Sequence, residues 1–218
     1  MVLVYLVAFG KDYLDQFDLM YQGLIRMGVD VCLITDQNVK RQGVEVITIG
    51  TPLEKMQMFA FRIYGHKIID FTKYDQVWYS DTDIIFKDNI FDKYKGHYVC
   101  REPWNTMAEE HFNGLLNDQE VLSAKKLPAI NSGLVCAPGD SLFWSEYQTV
   151  TERAYRRRAW ISEQHALNWM YLKRRDKYNF KLFADEDIGY PARGIKGGYV
   201  DHYNCYKDKL TWMRSNLA

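Results

Sequence analysis

The fold turns on YDQVWYSDTDIIFKD, residues 74–88. Its middle, VWYSDTDIIF, has the aromatic and β-branched character of a buried strand, yet Asp81 and Asp83 interrupt it. A carboxylate in so dry a setting loses much of its solvation unless something compensates it. Side chains at i and i+2 of a strand share a side, so the two carboxylates converge on one point if strand geometry persists through Thr82. At that separation they repel, and without a cation one of them would be driven protonated. A hard divalent ion such as Mn²⁺ or Mg²⁺ removes the conflict, since it prefers oxygen ligands and keeps positions open for water and substrate phosphates. The bland alternative is that Asp81 caps a turn and Asp83 pairs with a lysine or arginine at the sheet edge. The tripeptide alone does not separate the two.

Outward from this strand, the chain alternates. VLVYLVAF (2–9) is a continuous apolar strand, and YLDQFDLMYQGLIRMG (13–28) carries apolar residues at helical spacing before Gly28 as a cap. VDVCLITD (29–36) and GVEVITIG (43–50) are further strands, and residues 52–71 show helical periodicity behind Pro52. Strands that are apolar throughout and alternate with helices predict a mostly parallel α/β sheet covered on both faces. Ligands bind such sheets off the carboxyl ends of the strands, where Asp36 and the Asp81/Asp83 pair both fall. Beyond residue 90, GHYVCREP and AINSGLVCAP read as strands, 104–127 as a mostly helical excursion, and 139–158 and 162–174 as helices. YNFKLFADE and GGYVDHYNCY read as late strands or extended segments.

The 218 residues suit one domain, large enough to bury roughly 70% of the unfolded surface and so to hold a recessed site. Lysine plus arginine and aspartate plus glutamate both number 28, so no long-range field draws the chain to nucleic acid or an acidic membrane. AYRRRAWISEQ and LKRRDK are basic, but on helices of a neutral protein they read as solvated faces. Cys32, Cys100, Cys136 and Cys205 have no metal-site spacing, which favours buried thiols in a reducing compartment. No run approaches the ~20 apolar residues of a membrane span. The expectation is a cytoplasmic protein, and KDKLTWMRSNLA, an interrupted helix in appearance, suggests a domain fused to further enzymatic domains.

Four landmarks in order, FRIYGHKIIDFTKYDQVWYSDTDIIF, INSGLVCAP, SEQHALN and VDHYNCYKDK, give the sequence a resemblance to the GT-A nucleotide-sugar glycosyltransferases. The retaining family 8 type, with its glycogenin-like and lipopolysaccharide galactosyltransferase members, is the most similar. The resemblance spans about residues 59–209 and implies a GT-A, Rossmann-like fold in a single domain. A nucleotide-binding half would cover about 1–100 and an acceptor and catalytic half about 101–218.

The resemblance further implies that Asp81, Asp83 and His202 hold Mn²⁺ or Mg²⁺, which bridges the diphosphate of a UDP-sugar donor. Arg62 and Lys207 would approach the phosphates, with Lys209 as alternative to Lys207, and Asn131 the donor sugar. Ala8, Phe9, Gly10, Tyr13, Asp36 and Thr82 would complete the nucleotide site, Tyr13 stacking on the base. SEQHALN is similar to a family segment D-Q-D-x-L-N, which places Glu163 and Gln164 at the reacting face of the sugar. His165 there replaces a second acid, and the terminal motif lacks the family's glycine, proline and tryptophan. The implied activity is transfer of a hexose or deoxyhexose to a glycan or protein-linked glycan acceptor with retention, as in bacterial or large-virus glycan assembly. A catalytically idle sugar-nucleotide-binding or scaffolding domain is the alternative.

Overall fold

A computed structural model describes residues 1–50, 55–112, 114–155, 162–204 and 207–216, with 55–60 described as backbone. The first half alternates as β1 (Val2–Ala8), α1 (Lys11–Arg26), β2 (Asp30–Thr35), β3 (Val44–Thr48), α2 (Lys55–Ile68) and β4 (Gln76–Ser80). There follow β5 (Ile84–Phe86), β6 (Tyr98–Thr106), α3 (Asp118–Ala124), β7 (Pro128–Ala137), α4 (Phe143–Tyr155), α5 (Ser162–Lys173) and α6 (Arg175–Tyr178). The chain closes through β8 (Lys181–Leu182), β9 (Ile188–Gly189), β10 (Val200–His202) and α7 (Lys209–Ser215).

Seven strands form one sheet in the order β3-β2-β1-β4-β7-β6-β8, in which β3, β2, β1 and β4 run parallel and β7 is antiparallel to β4. The expected mostly parallel α/β architecture is what these residues build. β1 shows why it needs helices on both sides. Leu3 and Tyr5 enter a core shared with Ile63 of α2, Trp144 of α4 and Leu167 of α5, while Val4, Leu6 and Ala8 enter the other with Leu14, Phe17, Met20 and Leu24 of α1. The helix α1 supplies that second face because its apolar residues recur every three or four positions. It ends where Gly28 takes φ +72°, a left-handed position that favours glycine. Trp78 of β4 is fully buried, its ring 5.0 Å from Phe91 and 5.4 Å from Phe183, so truncating it to alanine would cost about 3–5 kcal/mol.

The strand does not continue through the two aspartates. β4 stops at Ser80, residues 82–83 form a turn, and Ile84–Phe86 belong to a second sheet of order β5-β10-β9. Asp81 N–H still follows the β4–β7 register and donates to Gly133 O at 2.7 Å, whereas two residues on Asp83 O accepts from Tyr203 N–H, beyond β10, at 2.8 Å. The carboxylates therefore converge at a crossing between two sheets, not along one strand.

Two other expectations change. The excursion 104–127 begins as strand, since β6 runs to Thr106, and among its described residues only Asp118–Ala124 form an α-helix, capped by Asn117. The helix expected over 139–158 starts at Phe143, and its expected end falls partly on residues 156–158, outside the described residues, as does Pro52. Cys32, Cys100 and Cys136 are free and buried, and Cys205 lies outside the described residues. No described helix is long and apolar enough to cross a membrane.

Candidate functional site

A cavity of about 280 Å³ opens off the carboxyl ends of β1 and β4, bordered by Val7 and by the turn after Ser80. Its inner wall comes from an irregularity in β7. Val99 of β6 faces Val135, but the next residue, Cys100, faces Asn131, so Ser132–Leu134 are extra on the β7 side. Such a bulge re-aims side chains, and here it turns Asn131 and Ser132 into the cavity. Asn131 Oδ1 accepts from Gly133 N–H at 2.8 Å, which fixes its amide. Gly133 itself admits no side chain: a Cβ there would lie 2.5 Å from His202 Cε1 and 3.0 Å from Asp81 Oδ2.

Asp81, Asp83 and His202 each present one ligand atom within 4.8 Å of the others. His202 Nε2 is 3.2 Å from Asp83 Oδ1 and 3.9 Å from Asp81 Oδ2. Around an octahedral ion with ligands at about 2.1 Å, neighbouring donors sit about 3.0 Å apart and opposite ones about 4.2 Å, so this spacing suits a hard divalent cation. Asp83 Oδ1 is buried without a hydrogen bond from a described residue, and the Gly133 cradle holds the imidazole against Asp81. The donor set and its enclosure fit a metal ion.

The cations the bland reading called for are present as well. Arg62 Nη1 lies 3.1 Å from Asp81 Oδ1, and Lys209 Nζ is ion-paired with Asp83 Oδ2. Tyr79 O–H donates to Asp81 Oδ1 at 2.5 Å. Burial by itself would raise the Asp83 carboxyl, but His202 and Lys209 outweigh it and hold it below the usual carboxylate range. Burial likewise works against the charge on Arg62, and Asp81, Tyr79 and Glu163 more than offset it.

Arg62 also links the metal-binding side to α5. Its Nη1 is 3.3 Å from Glu163 Oε1, so one guanidinium spans Asp81 and Glu163. Glu163, in the first turn of α5, is 2% exposed, and Oε2 has no hydrogen bond from a described residue. Burial pushes its carboxyl up to about 7, against the opposing pull of Arg62. Gln164 lines the same cavity and donates from Nε2 to Glu102 Oε1 at 2.9 Å.

Other expected residues stand further off. Ala8 and Phe9 are buried in the two cores, Phe9 with its ring 5.4 Å from Phe61. Gly10, at φ +80°, donates its N–H to Asp36 Oδ1 at 2.9 Å, and Gln37 Nε2 donates to the same oxygen at 3.0 Å. The Asp36 carboxylate is thereby engaged in shaping the loop at the lip and does not line the cavity, whereas Tyr13 and Thr82 do. Lys207 is exposed and off the lining; Lys209, two residues on, is on it. His165 is buried but absent from the lining, with burial and His111 pushing its imidazole down to about 4. The replacement of the second acid therefore does not enter the cavity.

Sequence reasoning did not single out Gln16, Ser132 or Asn204, all of which line the cavity, nor Tyr79. Gln16 is 7% exposed and its Oε1 accepts from Thr82 Oγ1 at 2.9 Å. The available signal was a polar residue on the apolar stripe of α1, between Tyr13 and Met20. Tyr79 stands two residues before Asp81 on the strand, a spacing that could have flagged it as a carboxylate partner.

No family model matches the chain, and no curated protein matches it by sequence. Its structure is similar to that of the galactosyltransferase LgtC solved in complex with donor and acceptor sugar analogues, with a TM-score of 0.64 and 10% sequence identity. The match covers 99% of this chain and 96% of that one. With its mixed sheet, flanking helices and site at the strand ends, the chain has the GT-A fold.

Proposed function

We propose that the chain is a metal-dependent glycosyltransferase that moves a hexose or deoxyhexose from a UDP-sugar to a glycan or protein-linked glycan acceptor, with retention. One observation carries the reading: a cluster fit for a divalent ion and a second, near-neutral carboxylate face one cavity with a single guanidinium between them. Breaking a sugar–diphosphate bond builds negative charge on the leaving phosphate and positive charge on the anomeric carbon. Mn²⁺ or Mg²⁺ held by Asp81, Asp83 and His202 would neutralise the first of these charges.

The chain's own residues divide the remaining work. Arg62 faces the phosphates from the floor of the cavity, and of the two candidate lysines the lining favours Lys209 over Lys207. Tyr13 offers its ring to the base, with Ala8, Phe9, Gly10 and Asp36 shaping the lip, while Asn131 orients the donor sugar. Glu163, once ionised, stabilises positive charge at the anomeric carbon or attacks it, and Gln164 lies beside it. The likeness to a galactosyltransferase bound to donor and acceptor sugar analogues supports this class of reaction.

The test is UDP release from a panel of UDP-sugars with and without Mn²⁺. The expected result is Mn²⁺-dependent turnover that falls about 10³-fold in Asp83→Ala, the scale of losing a major electrostatic stabiliser. Metal-independent turnover, or an Asp83→Ala protein as active as wild type, would sink the proposal. Mn²⁺-dependent calorimetric binding of UDP without turnover of any donor would assign the idle binding domain instead.

A further inference from the structure

The carboxylates that suit a divalent ion already carry a cation of the chain's own. Lys209 Nζ is ion-paired with Asp83 Oδ2 while Oδ1 of the same carboxylate faces His202 Nε2. The two cations at the pair are held very differently. Arg62 comes from α2, is 17% exposed at its side chain, and is bound to both Asp81 and Glu163. Lys209 is 32% exposed and sits in the first turn of α7, a seven-residue helix that packs on α1 and has Met213 as its buried residue. Lysine is a compact charge on a flexible stem, free to change partner where an arginine fork bound to two carboxylates is not. A divalent ion on Asp83 would sit within a few ångströms of the ammonium, and like charges at that range repel strongly.

We propose that Lys209 is an exchangeable counter-ion: it neutralises Asp83 in the metal-free protein, is expelled when a divalent ion enters, and then pairs with the diphosphate that arrives with the ion. The proposal rests on the metal and nucleotide reading above and adds a sign to it. Lys209 opposes binding of the metal alone and favours binding of metal with nucleotide. The same side chain makes the two ligands cooperative, because metal entry releases the cation that the phosphates need.

Calorimetry on the full chain tests this, titrating Mn²⁺ alone and then UDP at saturating Mn²⁺ into wild type, Lys209→Met and Asp83→Asn. With one partly exposed ion pair removed, Lys209→Met should bind Mn²⁺ alone about fivefold tighter and UDP about tenfold weaker, since a charge-assisted phosphate contact is lost. Thermal unfolding should show the metal-free variant melting lower than wild type and gaining more from Mn²⁺. Lys209→Gln repeats the measurement should the methionine variant fold poorly. Equal or weaker Mn²⁺ affinity in the Lys209 variants overturns the exchange, and unchanged UDP affinity in them overturns the transfer to the diphosphate. If wild type binds Mn²⁺ and Asp83→Asn does not, the metal reading stands whatever Lys209 does; if wild type binds neither Mn²⁺ nor UDP, both fall.

Discussion

Asp83, at the turn that carries the chain from one sheet to the other, and Glu163, in the first turn of α5, are both almost wholly buried in one cavity. Their surroundings push them in opposite directions. Burial favours the neutral acid in each, but Asp83 meets His202 and Lys209 and is held below the usual range. Glu163 meets only part of the charge on Arg62, which it shares with Asp81, and rises to about 7. A pair of carboxylates whose environments separate their proton affinities is a division of labour, one fixed anion for a cation and one group poised near neutrality for chemistry. Sequence position says nothing of this, since the groups that set each proton affinity lie far along the chain: His202 and Lys209 for Asp83, Arg62 for Glu163.

The sharpest way to break the contrast is Glu163→Gln. If the ionised carboxylate serves the anomeric carbon, wild-type kcat rises as pH passes through about 7. The variant should lose about 10²-fold at pH 8 and show no such limb, as read from pH–rate profiles. Stability moves the other way. The folded protein keeps the Glu163 proton up to about 7 while the unfolded chain releases it near 4.5, so wild type binds the extra proton in that window and loses stability as pH rises through it. Glutamine has no such slope, and the difference in melting temperature, variant minus wild type, should grow between pH 5 and pH 8. A constant difference would show that Glu163 is not held protonated.

A smaller effect is expected from Gly133→Ala, which attacks the metal-binding side and leaves Glu163 untouched. Its Cβ would meet His202 Cε1 at 2.5 Å, Asn131 Oδ1 at 2.9 Å and Asp81 Oδ2 at 3.0 Å. Overpacking of this kind costs about 1–3 kcal/mol, and displaced ligands should weaken Mn²⁺ about tenfold by calorimetry, a scale set by disturbed ligand support. Wild-type Mn²⁺ affinity would mean that the cradle does not position the ligands. The smallest effect belongs to His165→Asn. Because His165 lies off the cavity, kcat should stay within about threefold while stability falls by about 1 kcal/mol. A large fall in kcat with unchanged melting would return His165 to the reacting face.

How much could be read beforehand differs between fold and site. β1, β2 and β4 were legible because strands buried on both faces are largely apolar, the edge strand β3 because β-branched residues fill it although none is buried, and α1 because its burial repeats every three or four residues. The short strands β8 and β9, of two residues each, carry no such periodicity. In the site, Asp81, Asp83, Arg62, Asn131, Glu163, Gln164 and His202 were named from motif order, and the fold brings all of them to one cavity or its ligand cluster. Gln16 belongs to no motif and reaches the cavity because α1 packs beside the turn at Thr82, while Asn204 lies within VDHYNCYKDK but had no chemistry of its own to mark it there.

The amino-acid sequence by itself determined an α/β sheet of parallel strands and a pair of carboxylates at a strand end, because pattern and period are local and each residue's share of them is written in its neighbours. Tertiary structure decided how those carboxylates meet and what they meet. The strand breaks at Ser80, the aspartates converge through a turn between two sheets, and the partners of Asp83 come from residues more than a hundred positions on. Charge state followed the same division: a side chain's solvation and its nearest ions are set by what packs around it in space, which is why the proton affinities of Asp83 and Glu163, both acids, are shifted in opposite directions in the folded chain.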